Sequence, residues 1–250
     1  MLSKNQIKEI QHLHHKKQRD LKKIFIAEGL KTVLEIIETN PGLLVNIYGT
    51  ADFILKNEKK LKQLNLEYFT TTTSELEKIS LQSSPNNVVA ICHYFDEFEV
   101  SFDFENNFSF YLDDIRDPGN FGTILRLADW FGISTIFCSP ESCELYNPKV
   151  IQASMGAFLR VNVVYSELNK LLENYAIKSV YGALLNGKNV YQERLRNGLI
   201  VMGNEANGIR ENNLQYIGIP LTIPSHKNSK TESLNAAMAA SIIASEFFRR

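Results

Sequence analysis

Apolar positions recur at two different spacings along the chain, and the switches between them mark the elements. In the first hundred residues the pattern predicts a polar helix from Ser3 to Arg19, a strand at Ile24–Ala27, a helix near Lys31–Glu38 and a strand at Leu43–Tyr48. It continues with a helix from Ala51 to Leu64, a strand at Glu67–Thr72, a helix at Ser74–Leu81 and a strand from Asn87 to Tyr94. The run Val88-Val89-Ala90-Ile91 is apolar at every position, which predicts a strand buried on both faces. The succession reads as a small α/β sandwich. The acidic stretch Phe95–Asn107 has weak periodicity, so a boundary is expected there, between domains at 1–100 and 106–250.

From Phe108 the pattern restarts. Strands are predicted at Phe108–Leu112, Thr135–Cys138, Arg160–Val164, Ser179–Leu184, Leu199–Met202 and Ile219–Ile223, with helices near Phe121–Phe131, Asn147–Ser154, Glu167–Tyr175 and Ile209–Tyr216. Phe121, Ile124, Leu125, Ala128 and Phe131 share one helical face, and Gly132 suits the residue that stops the helix. Repeated strand–helix units imply a mainly parallel, Rossmann-like sheet covered on both faces. The last helix, Leu234–Phe248, is small and apolar almost all round because of Ala236, Ala237, Ala239, Ala240 and Ala244, so it is expected to be covered on several sides.

Composition adds bounds. The 250 residues are 44% hydrophobic and 22% charged, as in ordinary globular protein, and the formal net charge is −1. That average hides an asymmetry: Met1–Lys31 carries eight Lys/Arg against three acids, whereas Asp96–Asp117 carries eight acids and only Arg116. A basic face of this kind either attracts phosphate by counterion release or is simply a solvated helix face, and Lys16, Lys17 and Arg19 are its candidate phosphate contacts. No apolar run approaches the ~18 residues of a membrane span and the start is polar rather than signal-like, so a cytoplasmic chain is expected. Cys92, Cys138 and Cys143 have neither zinc-type spacing nor an even count, and His12, His14 and His15 beside Lys16 read as a solvated or phosphate-facing cluster; no metal site is expected.

Three clusters concentrate Gly, Asn and charge at strand ends, where open α/β sheets place their ligand crevices. The first runs from Asp113 to Gly122 through Asp117-Pro118-Gly119-Asn120 and leads into the helix bearing Arg126, with Asn120 suited to an N-cap. The second, Met202-Gly203-Asn204-Glu205-Ala206-Asn207-Gly208, ends a hydrophobic strand in glycines that permit close backbone approach. The third is Ile223-Pro224, a polar loop to Glu232, then Ser233-Leu234-Asn235, with Ser233 an N-cap candidate for the alanine-rich helix.

In this order and at these intervals the clusters resemble the three signature motifs of the SpoU/TrmH family of RNA 2′-O-ribose methyltransferases, in the SPOUT superfamily. Asp117-Pro118-Gly119-Asn120-x-Gly122 with Arg126 matches the first, Gly203-Asn204-Glu205-x-x-Gly208 the second and Ser233-Leu234-Asn235 the third. The N-terminal half resembles more loosely the ribosomal-protein-like substrate-binding domain often fused to this family, through Lys16-Lys17-Gln18-Arg19 and Phe25-Ile26-Ala27-Glu28-Gly29. The resemblance implies a deep trefoil knot in the C-terminal domain, contrary to the general rule. It also implies a homodimer formed through that domain and S-adenosylmethionine held by Leu184, Met202, Gly203, Ile223, Leu234 and Asn235. Asn120, Arg126, Glu205, Ser233 and Asn235 become the catalytic candidates. Ala206 and a loop Ser225–Glu232 without glycine depart from the pattern.

The family assigns proton removal to Arg126. A free guanidinium has a pKa above about 12, and presenting one neutral at pH 7 costs roughly 7–9 kcal/mol. A phosphate clamp and alkoxide stabiliser is therefore the preferred role, with Glu205 orienting Arg126 or the ribose. Ribosomal RNA is the expected substrate and transfer RNA the alternative, with a non-catalytic RNA-binding paralogue behind both. Gly182–Asn189 imitates a phosphate-binding P-loop but has Asn189 where Ser or Thr should hold magnesium, and no Gly-x-Gly-x-x-Gly follows the first strand as a dinucleotide enzyme requires.

Overall fold

Two sheets organise the computed structural model, which describes residues 2–82, 87–96 and 101–249. Its two compact units are Met1–Phe98 with Leu145–Leu159, and Glu99–Glu144 with Arg160–Arg250.

The first unit contains α1 (Lys4–His12), α2 (Lys16–Lys22), β1 (Ile24–Glu28), α3 (Leu30–Thr39), β2 (Leu44–Thr50), α4 (Ala51–Gln63), β3 (Glu67–Thr71), α5 (Thr73–Ile79) and β4 (Val88–His93). The sheet order is β1-β4-β2-β3, antiparallel except for the β2/β3 pair. Alternation along the strands feeds two cores. Ile26, Tyr48, Val89 and Ile91 pack with Ile10 and Leu13 of the α1 end and Leu76 and Ile79 of α5, while α3 covers β1 and β4 from buried Val33, Ile36 and Ile37. Two capping boxes start helices here, Ser3 with Gln6 and Thr72 with Glu75.

The single helix expected over Ser3–Arg19 is broken. Between α1 and α2 the turn at residues 13–15 leaves the carbonyls of Leu13 and His14 without helical donors, and Arg19 supplies them: Nη1 lies 2.7 Å from one and 2.9 Å from the other. The segment that forms α7 (Pro148–Ser154) also belongs to this unit, packed on β1, with Tyr146 stacked on Tyr94 at 3.6 Å and tilted against Phe25. Cys92 is fully buried in β4, and burial pushes its thiol far up.

The second unit holds β5 (Phe108–Asp113), α6 (Pro118–Trp130), β6 (Thr135–Cys138), β7 (Asn162–Tyr165), α8 (Leu168–Asn174), β8 (Val180–Asn189), β9 (Gly198–Gly203), α9 (Glu211–Leu214), β10 (Ile219–Thr222) and α10 (Ala236–Phe248). Six strands in the order β10-β8-β9-β5-β6-β7 pair in parallel throughout. Tyr111, Phe137, Leu199 and Val201 meet Leu168 and Leu171 of α8 on one face, and α6 and α10 pack together, on β6 and β9 respectively. Gly132 at φ 67° closes α6, and Ile133 N reaches back to Ala128 O at 2.8 Å.

The boundary stretch Phe95–Asn107 includes residues 97–100, with Glu97 and Glu99 of the acidic run, and these lie outside the described residues. No helix among the described residues is long and apolar enough to cross a membrane.

Candidate active site

β5 and β9 are neighbours in the sheet with Asp113 opposite Gly203, so the first two clusters leave the sheet side by side. This is the crevice position at the C-terminal ends of parallel strands. After β5 the chain turns through Asp114, at φ 60°, and enters α6. Asp117, rather than Asn120, caps that helix: its side chain accepts from Asn120 N at 2.7 Å, and Pro118 occupies the first turn where no donor is needed. The side chain of Asn120 is thereby left for other work.

After β9 the loop folds on itself. Asn204 and Gly208 exchange main-chain bonds of 2.9 Å, and Asn204 Oδ1 accepts from Ala206 N and Asn207 N. A Cβ on Gly203 would lie 2.2 Å from the main chain of Gly208 and Ile209, so glycine is required there. Beside this loop, β8 and β10 part: their register jumps from Gly182↔Pro220 to Lys188↔Leu221, which releases Leu184 and Leu185 from regular pairing. The gap opens a cavity of ≈ 750 Å³, walled by Leu184, Met202, Gly203, Ile223 and Leu234 with Glu205, Ser233 and the start of α10. Five of the six expected cofactor residues line it; Asn235 does not. The P-loop-like segment Gly182–Asn189 falls inside strand β8 and ends without the following helix that phosphate binding needs.

Asn235, and not Ser233, caps α10, its Oδ1 accepting from Ala237 N at 3.0 Å and Met238 N at 3.2 Å. Both main-chain donors fix the amide orientation, so Nδ2 must donate outward. It donates to Asn120 Oδ1 at 2.7 Å, and Asn120 Nδ2 donates in turn to Glu205 Oε1 at 2.6 Å. One residue from each cluster thus joins a directed chain ending on a carboxylate that borders the cavity, with the second carboxylate oxygen left for another donor.

Arg126 is not drawn into this chain. It is exposed on α6, lines no wall of the cavity and makes no hydrogen bond or ion pair among the described residues. Asp129, its neighbour one turn on, is occupied by a bidentate pair with Arg160 at 2.8 Å for both contacts. In the first unit Lys16 and Lys17 are exposed, but Arg19 is 2% exposed and its guanidinium serves the α1–α2 turn, which removes it from the expected phosphate-facing surface. His14 likewise sits half-buried with Nε2 at 3.2 Å from Ile79 O, and burial pushes its imidazole below the usual range, unlike a solvated phosphate-facing histidine.

Sequence reasoning singled out neither Arg210 nor the role of Asp113, its partner 97 positions away. Burial works against the charge of Arg210, but the hydrogen bond and charge of Asp113 outweigh it and hold the guanidinium above its usual range. An Asp at the end of an apolar strand and an Arg much later in the chain were the only signal, and spacing does not pair them.

The sequence model of the SpoU rRNA Methylase family matches residues 107–245, and that of an MRM3-like substrate binding domain matches residues 4–90. The chain is 25% identical to the 23S rRNA (guanosine(2553)-2′-O)-methyltransferase of Bacillus subtilis, over 96% of this chain and 95% of that one. A solved structure from Porphyromonas gingivalis, assigned to RNA methyltransferases of the TrmH family, is 34% identical with a TM-score of 0.82, covering 99% of this chain and 98% of that one. An AdoMet-bound rRNA methyltransferase from Sinorhizobium meliloti superposes with a TM-score of 0.85 over 100% of this chain and 96% of that one; at 24% identity it establishes the fold alone.

Proposed function

Because the chain belongs to the SpoU rRNA Methylase family, we propose that it transfers a methyl group from S-adenosylmethionine to a ribose 2′-hydroxyl of ribosomal RNA. The observation that carries this reading is the hydrogen-bonded chain Asn235–Asn120–Glu205 at the mouth of a ligand-sized cavity.

The cavity fits the cofactor by volume and by chemistry. Leu184, Met202, Ile223 and Leu234 offer apolar surface to an adenosyl group, and the main chain of Gly203 and the polar atoms of Ser233 offer hydrogen bonds. When bound there, S-adenosylmethionine supplies an electrophilic methyl group. The residues of the chain have to hold the ribose oxygen in line and manage its proton. Glu205, fixed by Asn120 through one oxygen, presents the other to the ribose hydroxyl, which orients the nucleophile and withdraws its proton as the new O–C bond forms. Arg126, exposed and unpaired among the described residues, clamps the adjacent phosphate and stabilises the developing alkoxide. Ser233 holds the nucleotide at the rim.

Residues 1–100 carry the RNA, with Lys16 and Lys17 contacting phosphate, and residues 106–250 carry the chemistry. The reading includes the trefoil knot that the family resemblance implies. It includes a homodimer through the catalytic domain, supported by exposed Trp130, Met238 and Phe248 on α6 and α10, and a cytoplasmic site of action, where ribosomal RNA is found. Mapping of ribose methylation in cells with and without the protein tests the substrate: loss of one 2′-O-methyl mark in ribosomal RNA is expected, and loss confined to transfer RNA would refute it.

A further inference from the structure

The loop that walls the cavity, Gly203–Ile209, is fastened at its base by one carboxylate outside the cavity. Asp113 is fully buried at the end of β5, and its oxygens accept from three donors just beyond the loop: Arg210 N at 2.8 Å, Arg210 Nε at 2.6 Å and Asn213 Nδ2 at 2.9 Å. Arg210 reaches further, with Nη1 2.8 Å from Glu141 and Nη2 3.3 Å from Glu167. These acids follow β6 and β7, so one guanidinium ties together the chain beyond β5, β6, β7 and β9. At the loop's other end Asn204 Nδ2 donates to Asp114 O at 2.7 Å, and its tip carries Glu205 to Asn120. These three anchors lie between the end of β5 and the first turn of α6, and the Asp113–Arg210 pair is the charged one.

We propose that Asp113 and Arg210 are positioning residues for the cofactor: their pairing holds Gly203–Ile209 at the height that closes the S-adenosyl cavity and presents Glu205, although neither residue touches the ligand. Asp113 holds this geometry because one of its oxygens takes the main-chain N–H of Arg210 and the other takes Nε, which admits a single arrangement of that side chain. A planar guanidinium can meet Asp113 and the two glutamates at once, whereas a lysine ammonium would swivel. The proposal rests on the S-adenosyl reading of the cavity.

The test is calorimetric titration of S-adenosylhomocysteine into the parent protein and into Asp113→Asn, Arg210→Lys and, as a control at an exposed ion pair outside the anchor, Lys178→Gln, with thermal unfolding of each in the absence of ligand. Asp113→Asn and Arg210→Lys should bind at least about tenfold more weakly with one site per folded chain, and Lys178→Gln within about twofold of the parent. Parent-like affinity in the first two, whatever the change in thermal midpoint, overturns the proposal by leaving them only a structural role. If Asp113→Asn does not fold, Arg210→Lys decides alone. Amide exchange at Ala206 and Asn207 in Arg210→Lys gives a readout independent of ligand: faster exchange is expected, and unchanged exchange overturns the anchor. Failure of the parent to bind S-adenosylhomocysteine would instead sink the cofactor reading, with the exchange measurement still deciding the anchor.

Discussion

Asn120 and Glu205 stand 85 positions apart in the chain and 2.6 Å apart in space, amide nitrogen to carboxylate oxygen. The bond has a fixed direction, because Asn235 donates to the amide oxygen of Asn120 and is itself held by two main-chain donors of α10. Glu205 is aimed by this relay together with the loop that carries it.

Replacing Asn120 with Asp removes the donor and sets a second carboxylate against Glu205. Turnover should fall by about a hundredfold or more, as for loss of a preorganised polar group in an active site. Affinity for S-adenosylhomocysteine should stay within about threefold, because Asn120 lines no wall of the cavity. Single-turnover methylation alongside calorimetry separates the two effects.

Arg126→Ala should leave folding and cofactor affinity near those of the parent, since the side chain is exposed and makes no bond among the described residues. Removal of a charge-assisted clamp should cost about 3 kcal/mol in the transition state, a hundredfold or greater fall in rate. Lysine should rescue only in part, because a point charge does not reproduce a planar fork. Rates across pH check the role: strong recovery by lysine at high pH would point to a base instead.

The basic N-terminal residues divide into two kinds. Neutralising Lys16 and Lys17 should weaken RNA binding and flatten its salt dependence by about 0.7–0.9 in log–log slope for each phosphate that is no longer neutralised, with the fold unchanged. Arg19→Ala should instead lower stability by about 2 kcal/mol or more, because two carbonyls of the α1–α2 turn lose a charged donor. Denaturant unfolding and filter binding at several salt concentrations distinguish these outcomes.

Gly203→Ala places a methyl group where the main chain of Gly208 and Ile209 already lies. The flexible end of a side chain could yield, but backbone cannot. Cofactor binding should fall below detection by calorimetry while circular dichroism retains the signature of the parallel sheet.

Periodicity located the strands of both sheets, because buried strands and amphipathic helices leave strong local signals, as Val88–Ile91 and the α6 face do. It missed features decided by particular side-chain and strand partners. The break between α1 and α2 is spanned by Arg19 folding back on two carbonyls, whereas charge counting places that residue on a basic, phosphate-attracting or solvated face. β8 runs to Asn189, past its expected end at Leu184, because pairing resumes with β10 after the register jump. Both cap assignments fell on the wrong residue of the right motif: Asp117 replaces Asn120 and Asn235 replaces Ser233, since several residues in each motif can cap and only the fold selects. The motifs themselves were legible, as three residue sets in a fixed order. Their convergence was not, because Asn120, Glu205 and Asn235 meet only once β5, β9 and α10 have packed.

The most direct test of the account is transfer of labelled methyl from S-adenosylmethionine to ribosomal RNA by the purified protein, followed by alkaline hydrolysis. A 2′-O-methyl group blocks attack by its own oxygen on the neighbouring phosphate. The label should survive in an alkali-resistant dinucleotide, and Glu205→Gln should abolish it. Label recovered on a free mononucleotide, and therefore on a base, would contradict methylation of the ribose 2′-hydroxyl.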